Sequence, residues 1–300
     1  MNTIGVPRIP GEAMGGLCTI HNEKSGQKIT TNIEYNIMAT LAKTFPGGVE
    51  PTDEHGYSKF PGNTNAIIFH LPSYNDILEK SGGTVPEFCN PKYANAEKTI
   101  FKTPTRIESM ISELPRIMDG NLYKVGFTEI DRPMCFSACK NDLVSGKAKS
   151  DSQLPPETMS TCEHEWYAHN TLLLQMAGVT VETSTNKYSH AGLEFEHLPK
   201  VVLMPSFSTT LQGIKDSFKG KCSITSKSSL VLRDRTVFEN LQVDGSLEVI
   251  GSAKEEPRAE KDLVFANQNY TEFVDTDAND ADYLKIRGYK VKADSKMVSM

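Results

Sequence analysis

The segment Phe60-Pro61-Gly62-Asn63-Thr64-Asn65-Ala66-Ile67-Ile68-Phe69 joins a turn signal to an apolar, β-prone run. Its Pro-Gly pair favours a tight turn, and the run that follows predicts a buried strand over residues 65–71. The turn would hold Asn63 at the edge of a sheet, where a side-chain amide can both donate and accept hydrogen bonds. Such an amide suits a polyhydroxyl ligand such as a sugar. The alternative is an Asx turn that only caps the strand.

Length and composition narrow the class of protein. The 300 residues suit one large domain, or one medium domain with a smaller one. Hydrophobic residues make up 38% of the chain, and no uncharged apolar run approaches the ~18 residues that cross a bilayer. The net charge is −6, and no basic stripe suggests nucleic acid. Since the N-terminus lacks a signal-peptide layout, six scattered cysteines indicate reduced thiols, and we expect a cytoplasmic protein with no membrane or nucleic-acid partner.

The order of apolar and turn signals over residues 1–205 is typical of α/β architecture. Two polar segments, residues 55–60 and 140–156, have the composition of loops. Helical spacing of apolar residues predicts helices over residues 34–43, 73–80, 105–117, 163–177 and 206–218.

After Gly220 the pattern changes to short β-prone runs separated by polar corners. Such runs suggest a coil of β-helix or a small stacked sheet, and a plain meander fits the pattern nearly as well. We therefore predict an incomplete α/β core over residues 1–220 and a β-rich domain over residues 221–300. The predicted strands of this domain are residues 222–225, 229–232, 237–241, 247–250 and 283–289.

Three residues have chemistry suited to a ligand, and each has an ordinary structural alternative. Gly15, in the glycine-rich run over residues 11–16, lets a backbone pass close to a ligand, or simply forms a turn. Glu34 can accept two adjacent sugar hydroxyls, or cap the helix that follows it. Lys140 is a point charge suited to a phosphate, or an ordinary solvated lysine. The residues alone leave these alternatives open.

Four potential zinc ligands, Cys135, Cys139, Cys162 and His164, have spacings that match no usual structural zinc site. His164 and His169 flank a sequence like H-E-x-x-H, but they are five residues apart and do not share a helix face. We therefore expect packing residues and no metal site in this chain.

Taken in order along nearly the whole chain, its motifs resemble the later part of the UDP-sugar pyrophosphorylases, which join UTP to monosaccharide 1-phosphates. Each motif is weak alone, whereas the ordered set is specific. UDP-glucose and UDP-N-acetylhexosamine pyrophosphorylases are the alternative relatives. The motifs include Val6-Pro7-Arg8, Glu12-Ala13-Met14-Gly15-Gly16, Asn32-Ile33-Glu34-Tyr35-Asn36, Phe60-Pro61-Gly62-Asn63, Asn90-Pro91-Lys92-Tyr93, Lys140-Asn141, Asn240-Leu241-Gln242-Val243-Asp244-Gly245 and Ile286-Arg287-Gly288-Tyr289.

The resemblance implies a fold and a set of site residues. The fold is the later part of a twisted, mixed-sheet nucleotidyltransferase core of the GT-A or Rossmann-like kind, followed by a small C-terminal β-helix-like domain. The implied residues are Gly15, Glu34 and Asn63 for the sugar, Glu12 and Tyr35 behind them, and Lys140 as the catalytic residue on phosphate.

The implied reaction is attack by a sugar 1-phosphate oxygen on the α-phosphorus of UTP, which gives a UDP-sugar and pyrophosphate. Such reactions depend on positioning and charge neutralisation rather than on a protein nucleophile. Mg²⁺ is the implied cofactor, with its protein ligand expected upstream of this chain. These 300 residues lack the Gly-rich, arginine-bearing loop that grips UTP in such enzymes. We therefore expect a chain that is inactive without its missing N-terminal half. The alternatives are a catalytically dead fragment that binds sugar phosphates and an assembly role for the β-rich end.

Overall fold

The computed structural model describes residues 1–89, 91–97, 99–251, 259–266, 268–292 and 295–299; Asn90 of the Asn90-Pro91-Lys92-Tyr93 motif lies outside them. The architecture is mixed α/β with several sheets. It divides into two units, Met1–Phe136 and Ser137–Met300, and the predicted boundary at residues 220 and 221 stays a prediction. Across the described ranges, no helix has both the length and the apolar character that a membrane crossing requires.

The first unit has seven strands and three α-helices among its described residues. The strands are β1 (Asn2–Val6), β2 (Gly16–His21), β3 (Lys28–Ile33), β4 (Gly62–Ile68), β5 (Glu87–Cys89), β6 (Ile107–Ser109) and β7 (Gly126–Glu129). The helices are α1 (Tyr35–Leu41), α2 (Leu71–Ser81) and α3 (Arg132–Cys135), with 3₁₀ segments at Ala42–Thr44, Pro46–Gly48 and Ile111–Ile117.

A five-stranded sheet of order β3-β2-β4-β1-β7 forms the centre of this unit. Strand β4 is antiparallel to both of its neighbours, β2 and β1, whereas β7 runs parallel to β1. The buried strand predicted over residues 65–71 corresponds only in part to β4, which runs from Gly62 to Ile68 and lies inside the sheet rather than at its edge. As a result, Asn63 belongs to a central strand and not to the turn before it. The predicted burial of this strand is wrong, since Ile68 is 60% exposed.

A buried ion pair ties the segment before β4 to the end of β1. Arg8 is 1% exposed, and its guanidinium binds the buried carboxylate of Glu50. The same guanidinium donates to the Ser58 hydroxyl at 3.1 Å and to the Phe60 carbonyl at 3.3 Å. Because buried charges need a partner and filled hydrogen bonds, these contacts fix the course of residues 50–60 over the sheet.

The second unit has twelve strands and four helices among its described residues. The helices are α4 (Leu143–Asp151), α5 (Met159–Met176), α6 (Leu211–Ser217) and α7 (Asp282–Arg287). The strands are β8 (Thr180–Val181), β9 (Lys187–His190), β10 (Leu193–Glu196), β11 (Lys200–Leu203), β12 (Ser223–Ile224), β13 (Ser229–Leu232), β14 (Val237–Asp244), β15 (Ser246–Ile250), β16 (Ala259–Ala266), β17 (Glu272–Asp275), β18 (Tyr289–Lys292) and β19 (Lys296–Ser299).

Two all-parallel sheets, of order β11-β13-β15-β19 and β16-β14-β12-β8, form the main part of this unit. From β11 to β16, successive strands alternate between the two sheets. Their apolar side chains pack with helix α5 into one buried cluster. The first four β-prone runs predicted after Gly220 are thus strands. Members of the cluster include Leu174, Val201, Leu230, Phe238 and Leu247.

The helix predicted over residues 105–117 is wrong. Ile107–Ser109 is strand β6, which pairs with β5, and a 3₁₀ helix follows over Ile111–Ile117. Pro115 lies within that second segment, and proline has no N–H for an α-helical ladder. The apolar spacing is nevertheless meaningful, because Leu114 is buried against Ile77 and Met118.

Two segments for which no helix was predicted each contain a helix. The predicted loop over residues 140–156 includes α4, whose N-terminus is capped by Asp142 through a 2.7 Å bond to the N–H of Ser145. The strand predicted over residues 283–289 is wrong, because α7 occupies most of it. That helix ends at Gly288, whose φ of +94° is the left-handed conformation of a helix C-terminus.

Replacement of Arg8 by alanine should lower the free energy of unfolding by about 3–5 kcal/mol, because it leaves the Glu50 carboxylate buried without its partner. Urea unfolding followed by circular dichroism measures the change. Lys80→Ala is the matched control, since it removes a solvent-exposed pair with Asp76 and should have a much smaller effect. Equal losses in the two variants would show that the buried pair does not anchor the segment.

Candidate functional site

Gly15 and Asn63, two of the residues predicted to hold a sugar, lie side by side where β2 meets β4. The N–H of Asn63 donates to the Gly15 carbonyl at 2.8 Å. Their neighbours Gly16 and Gly62, the first residues of β2 and β4, are register partners. The fold therefore brings together two candidates that are 48 positions apart in the chain (63 minus 15).

The Asn63 side chain is bound within its own strand. Its Oδ1 accepts from the backbone N–H of Asn65 at 2.9 Å, and its Nδ2 donates to Asn65 Oδ1 at 3.1 Å. Asn65 has a φ of 60°, the left-handed conformation that asparagine tolerates better than most residues. These are the contacts of the Asx-turn alternative. A sugar hydroxyl would therefore have to share or replace the contact between the two amides.

Asn32, a residue with no role predicted from the sequence, connects Gly15 to Glu34. Its Nδ2 donates to Glu34 Oε1 at 2.6 Å. A Cβ atom on Gly15 would lie only 2.2 Å from Asn32 Oδ1, so the asparagine amide occupies the space that any larger residue at position 15 would need. Asn32 is 2% exposed, and its Oδ1 has no hydrogen-bond partner among the described residues. The only sequence signal was its place beside Glu34.

Glu34 lies at the end of β3, immediately before α1. Its side chain makes no capping hydrogen bond, although its backbone carbonyl accepts from Ile37 and Met38 in the first turn. The helix-cap alternative for the carboxylate is therefore not what the structure contains. The nearby Glu113 has its pKa raised by burial and by the charge of Glu34, while Arg116 lowers it. Glu34 itself is half-buried, and Asn32 holds one of its carboxylate oxygens.

Glu12 and Tyr35, predicted to stand behind the sugar contacts, each hold a basic side chain. Glu12 is 3% exposed and accepts from Arg132 Nη1 at 2.6 Å and from the Ile9 N–H at 3.3 Å. Tyr35 Oη accepts from Lys92 Nζ at 3.0 Å. Neither basic partner was predicted from the sequence. The contacts fix the loop before Gly15 and the first residue of α1.

Lys140 belongs to the second unit, whereas the other five candidates belong to the first. It is exposed, and its Nζ lies 3.5 Å from Oε1 of Glu157. Glu157 is 4% exposed and also binds Lys149 Nζ at 2.7 Å, while its backbone carbonyl accepts from the Lys140 and Asn141 N–H groups. One carboxylate thus serves two ammonium groups. These three side chains carry two positive charges and one negative charge, and an ammonium group of this kind suits a phosphate.

Two of the four potential zinc ligands, Cys139 and Cys162, lie close enough for their thiols to interact. Cys135 ends α3 in the first unit, whereas the Cys162 thiol of the second unit donates to the Ala138 carbonyl at 2.8 Å. His164 packs against the ring of Phe195, with centroids 5.3 Å apart. The six cysteines, all of which the structure describes, are free thiols. Within the described ranges no group of three or more His, Cys, Asp or Glu residues could hold a metal ion.

The chain resembles pyrophosphorylases of UDP-sugars, as its ordered motifs predict. Over 97% of its length it is 32% identical to the UDP-sugar pyrophosphorylase of Arabidopsis thaliana, and 30% identical to that of Oryza sativa subsp. indica. It spans about half the length of these curated relatives, 47% in both cases, and corresponds to their later part. No family model matches the chain.

Solved structures match more distantly. The V402W mutant of UDP-glucose pyrophosphorylase from Leishmania major aligns with a TM-score of 0.32 and 11% identity, over 89% of this chain and 50% of that one. A UDP-glucose phosphorylase from Trypanosoma brucei aligns with a TM-score of 0.32 and 13% identity, over 89% and 49%. TM-scores of this size do not establish a shared fold, so the GT-A or Rossmann-like core stays a prediction.

Gly15→Ala should lower the free energy of unfolding by about 1–3 kcal/mol, because the new methyl group overlaps the Asn32 amide. Gly120→Ala is the control, since its Cβ would lie at an ordinary 3.6 Å from the Lys28 carbonyl. Urea unfolding of both variants gives the comparison.

The cause of that loss can be isolated with Asn32→Ala. This change opens the space beside position 15, so Gly15→Ala should be less destabilising in the Asn32→Ala background than in the original chain. A coupling of at least about 0.5 kcal/mol is expected for residues in contact. Strictly additive losses would contradict the proposed overlap.

His164 should make the second unit less stable in mild acid. Burial and the charge of Lys200 lower its pKa to about 4, against the opposing charge of Glu163. In the unfolded chain the pKa of this histidine is about 6.5. The stability that the neutral ring confers is therefore complete above pH 6.5 and is lost as the pH falls towards 4. By pH 4.5 the loss should be on the order of 2–3 kcal/mol.

Urea unfolding at pH 7 and pH 4.5 tests this. His164→Gln should reduce the difference between the two pH values, whereas His55→Gln, at an exposed histidine, should leave it unchanged. The comparison between variants is needed because burial also lowers the pKa of His197 and adds to the same trend. An unchanged pH difference in His164→Gln would contradict the assignment.

Proposed function

We propose that this chain supplies the sugar-binding side of a uridylyltransferase that makes UDP-sugars from UTP and sugar 1-phosphates, such as those of glucose and galactose. The observation that carries the proposal is the similarity to UDP-sugar pyrophosphorylases along 97% of the chain. Because the chain spans 47% of those relatives, their activity and their substrates come to it only as part of this proposal.

Glu34 is the centre of the proposed sugar contact. An ionised carboxylate accepts short, strong hydrogen bonds from two neighbouring hydroxyls. Asn32 holds one of its oxygens at 2.6 Å, which limits the rotation of the carboxylate before a ligand arrives. Gly15 contributes backbone without a side chain, since the Asn32 amide fills the space where a Cβ atom would be. The sugar is then bound mainly by groups that are already in position.

Asn63 adds an amide to the same site through its backbone contact with Gly15. Its side chain is paired with Asn65, so a bound hydroxyl gains one amide contact while the Asn63–Asn65 contact weakens. The net gain from a neutral hydrogen bond of this kind is about 1 kcal/mol. We therefore assign Asn63 to sugar preference rather than to the bulk of the affinity.

Lys140 is the residue proposed to act on phosphate. A sugar 1-phosphate oxygen forms a bond to the α-phosphorus of UTP while the bond from that phosphorus to the bridging oxygen breaks, and pyrophosphate leaves with the electron pair. An ammonium group that is held near the phosphorus stabilises the negative charge that develops there. Glu157 holds Lys140 through the backbone and through its carboxylate, which fixes where that charge lies.

Mg²⁺ would neutralise triphosphate charge when bound. The described residues of this chain offer no group of three or more His, Cys, Asp or Glu side chains for a metal ion. The predicted metal ligand outside this chain, the partner N-terminal half and the cytoplasmic location all stay predictions.

We also infer that the two parallel sheets of the second unit form a β-helix-like coil. The support is the alternation of successive strands between the sheets from β11 to β16, with a shared apolar interior. This arrangement begins before residue 221, where the β-rich domain was predicted to start.

Binding of sugar phosphates to the chain tests the proposed site. Calorimetric titration should show glucose 1-phosphate and galactose 1-phosphate binding more tightly than inorganic phosphate. Glu34→Gln should weaken the two sugar phosphates by about tenfold and leave inorganic phosphate unchanged, because it removes a charge-assisted contact to a hydroxyl. Glu23→Gln, at an exposed carboxylate of the β2–β3 turn, is the control.

Sugar phosphates that bind no more tightly than phosphate, together with an unaffected Glu34→Gln variant, would count against the proposed function. Pyrophosphate release from UTP, measured on the same samples, distinguishes a catalytic chain from one that only binds.

A further inference from the structure

A pocket beside the start of α1 contains neither Glu34 nor Asn63 in its lining, although Tyr35, which was predicted to stand behind the sugar contacts, lines it. Its volume is about 530 Å³, and it lies within the first unit. Two lysines and two tyrosines line it, and none of the described residues in its lining carries a carboxylate. The lining residues are Tyr35, Asn36, Pro91, Lys92, Tyr93, Asn95, Ala96 and Lys102.

The two lysines of the pocket are directly opposite each other on an antiparallel turn of the chain. The Lys102 N–H donates to the Lys92 carbonyl at 2.7 Å, and the next pair inward, Tyr93 and Phe101, forms an antiparallel bridge. Opposite residues in such a pair share a face, with Cβ atoms roughly 4.5–5.5 Å apart, and like charges there are destabilising. An anion bound between the two ammonium groups would remove that repulsion.

The turn that presents the lysines is held by its own contacts. The rings of Tyr93 and Phe101 pack with centroids 5.4 Å apart. At the tip, Asn95 Oδ1 accepts from the Thr99 and Ile100 N–H groups at 3.1 and 2.9 Å. The backbone positions of the two lysines are therefore set before any ligand binds.

Tyr35 closes the pocket from the side of α1. Lys92 Nζ donates to its hydroxyl at 3.0 Å and lies 5.6 Å from the centre of its ring. A phenol oxygen can accept a hydrogen bond from an ammonium group without itself carrying a negative charge. The rings of Tyr35 and Tyr93 add flat apolar surface with a polar tip, which suits the sugar or base of a small phosphorylated molecule.

We propose that this pocket binds the phosphate group of a phosphorylated small molecule. Lys92 and Lys102 contact the phosphate, and the rings of Tyr35 and Tyr93 contact the sugar or base that bears it. The volume accommodates a sugar phosphate or a mononucleotide, which share this chemistry. The phosphate contact proposed for Lys140 belongs to the second unit, whereas this pocket belongs to the first. Binding at this pocket goes beyond the proposed function and stands or fails without it.

Lysine acetylation of the whole chain, followed by mass spectrometry, tests the site residue by residue. Inorganic phosphate, glucose 1-phosphate and UMP are the ligands, with glucose and sodium chloride of equal ionic strength as blanks. Phosphate ligands should protect Lys92 and Lys102, whereas the blanks should not, and Lys24, an exposed lysine of the β2–β3 turn, should react equally in every sample. If glucose 1-phosphate protects the two lysines at a lower concentration than UMP does, the pocket prefers a sugar phosphate. If UMP protects them at the lower concentration, the pocket prefers a nucleotide.

A Lys102→Gln variant sharpens the test, because it removes one of the two charges and leaves the backbone pair intact. The phosphate concentration that half-protects Lys92 should rise by about tenfold or more, as expected for the loss of a charge-assisted contact. Lys24→Gln makes the same change of charge and should have no effect. Absence of protection at Lys92 and Lys102, or equal protection of Lys92 in the Lys102→Gln variant, would overturn the proposal. A null result for Glu34→Gln in the sugar-phosphate titration would concern the sugar contact alone.

Discussion

The buried ion pair between Arg8 and Glu50 is the contact on which the candidate site of the first unit depends. A guanidinium that is 1% exposed must be paired and hydrogen-bonded, and its partners come from the segment that leads into β4. Arg8 also fills the space beside two glycines: a Cβ on Gly62 would lie 3.3 Å from Arg8 Cβ, and one on Gly16 would lie 3.5 Å from Arg8 Nη2. The Arg8 side chain therefore packs close to the backbone of both glycines where β2 meets β4.

The candidate residues of the first unit follow from this junction. Once β2 and β4 meet at glycines, the backbone of Gly15 reaches Asn63, and the Asn32 amide can occupy the space beside Gly15. That amide then holds Glu34. The orientation of the Glu34 carboxylate therefore depends on the close backbone packing of β2 and β4, and that packing depends on the buried charge of Arg8. Rigid support of this kind is what a binding group needs.

The second unit is held together mainly by apolar packing rather than by a buried ion pair. Its parallel sheets share one apolar interior, and charged side chains form clusters elsewhere in the unit. In one of these, the buried carboxylate of Glu157 is shared by Lys140 and Lys149, so two positive charges lie beside one negative charge. A buried carboxylate with two basic partners can hold a lysine in place without cancelling the positive charge of the site.

The sequence by itself determined the mixed α/β class, the first four β-prone runs after Gly220, the long helix α5 and the resemblance to UDP-sugar pyrophosphorylases. These follow from local periodicity and ordered motifs, which a single chain displays directly. Only the tertiary structure decided that Asn63 lies in a central strand, that residues 283–289 are mostly helical, and that Asn32 and Glu157 hold Glu34 and Lys140. The physical reason is that strand order and polar partnerships join positions far apart in the chain, and local spacing carries no information about which of them will meet.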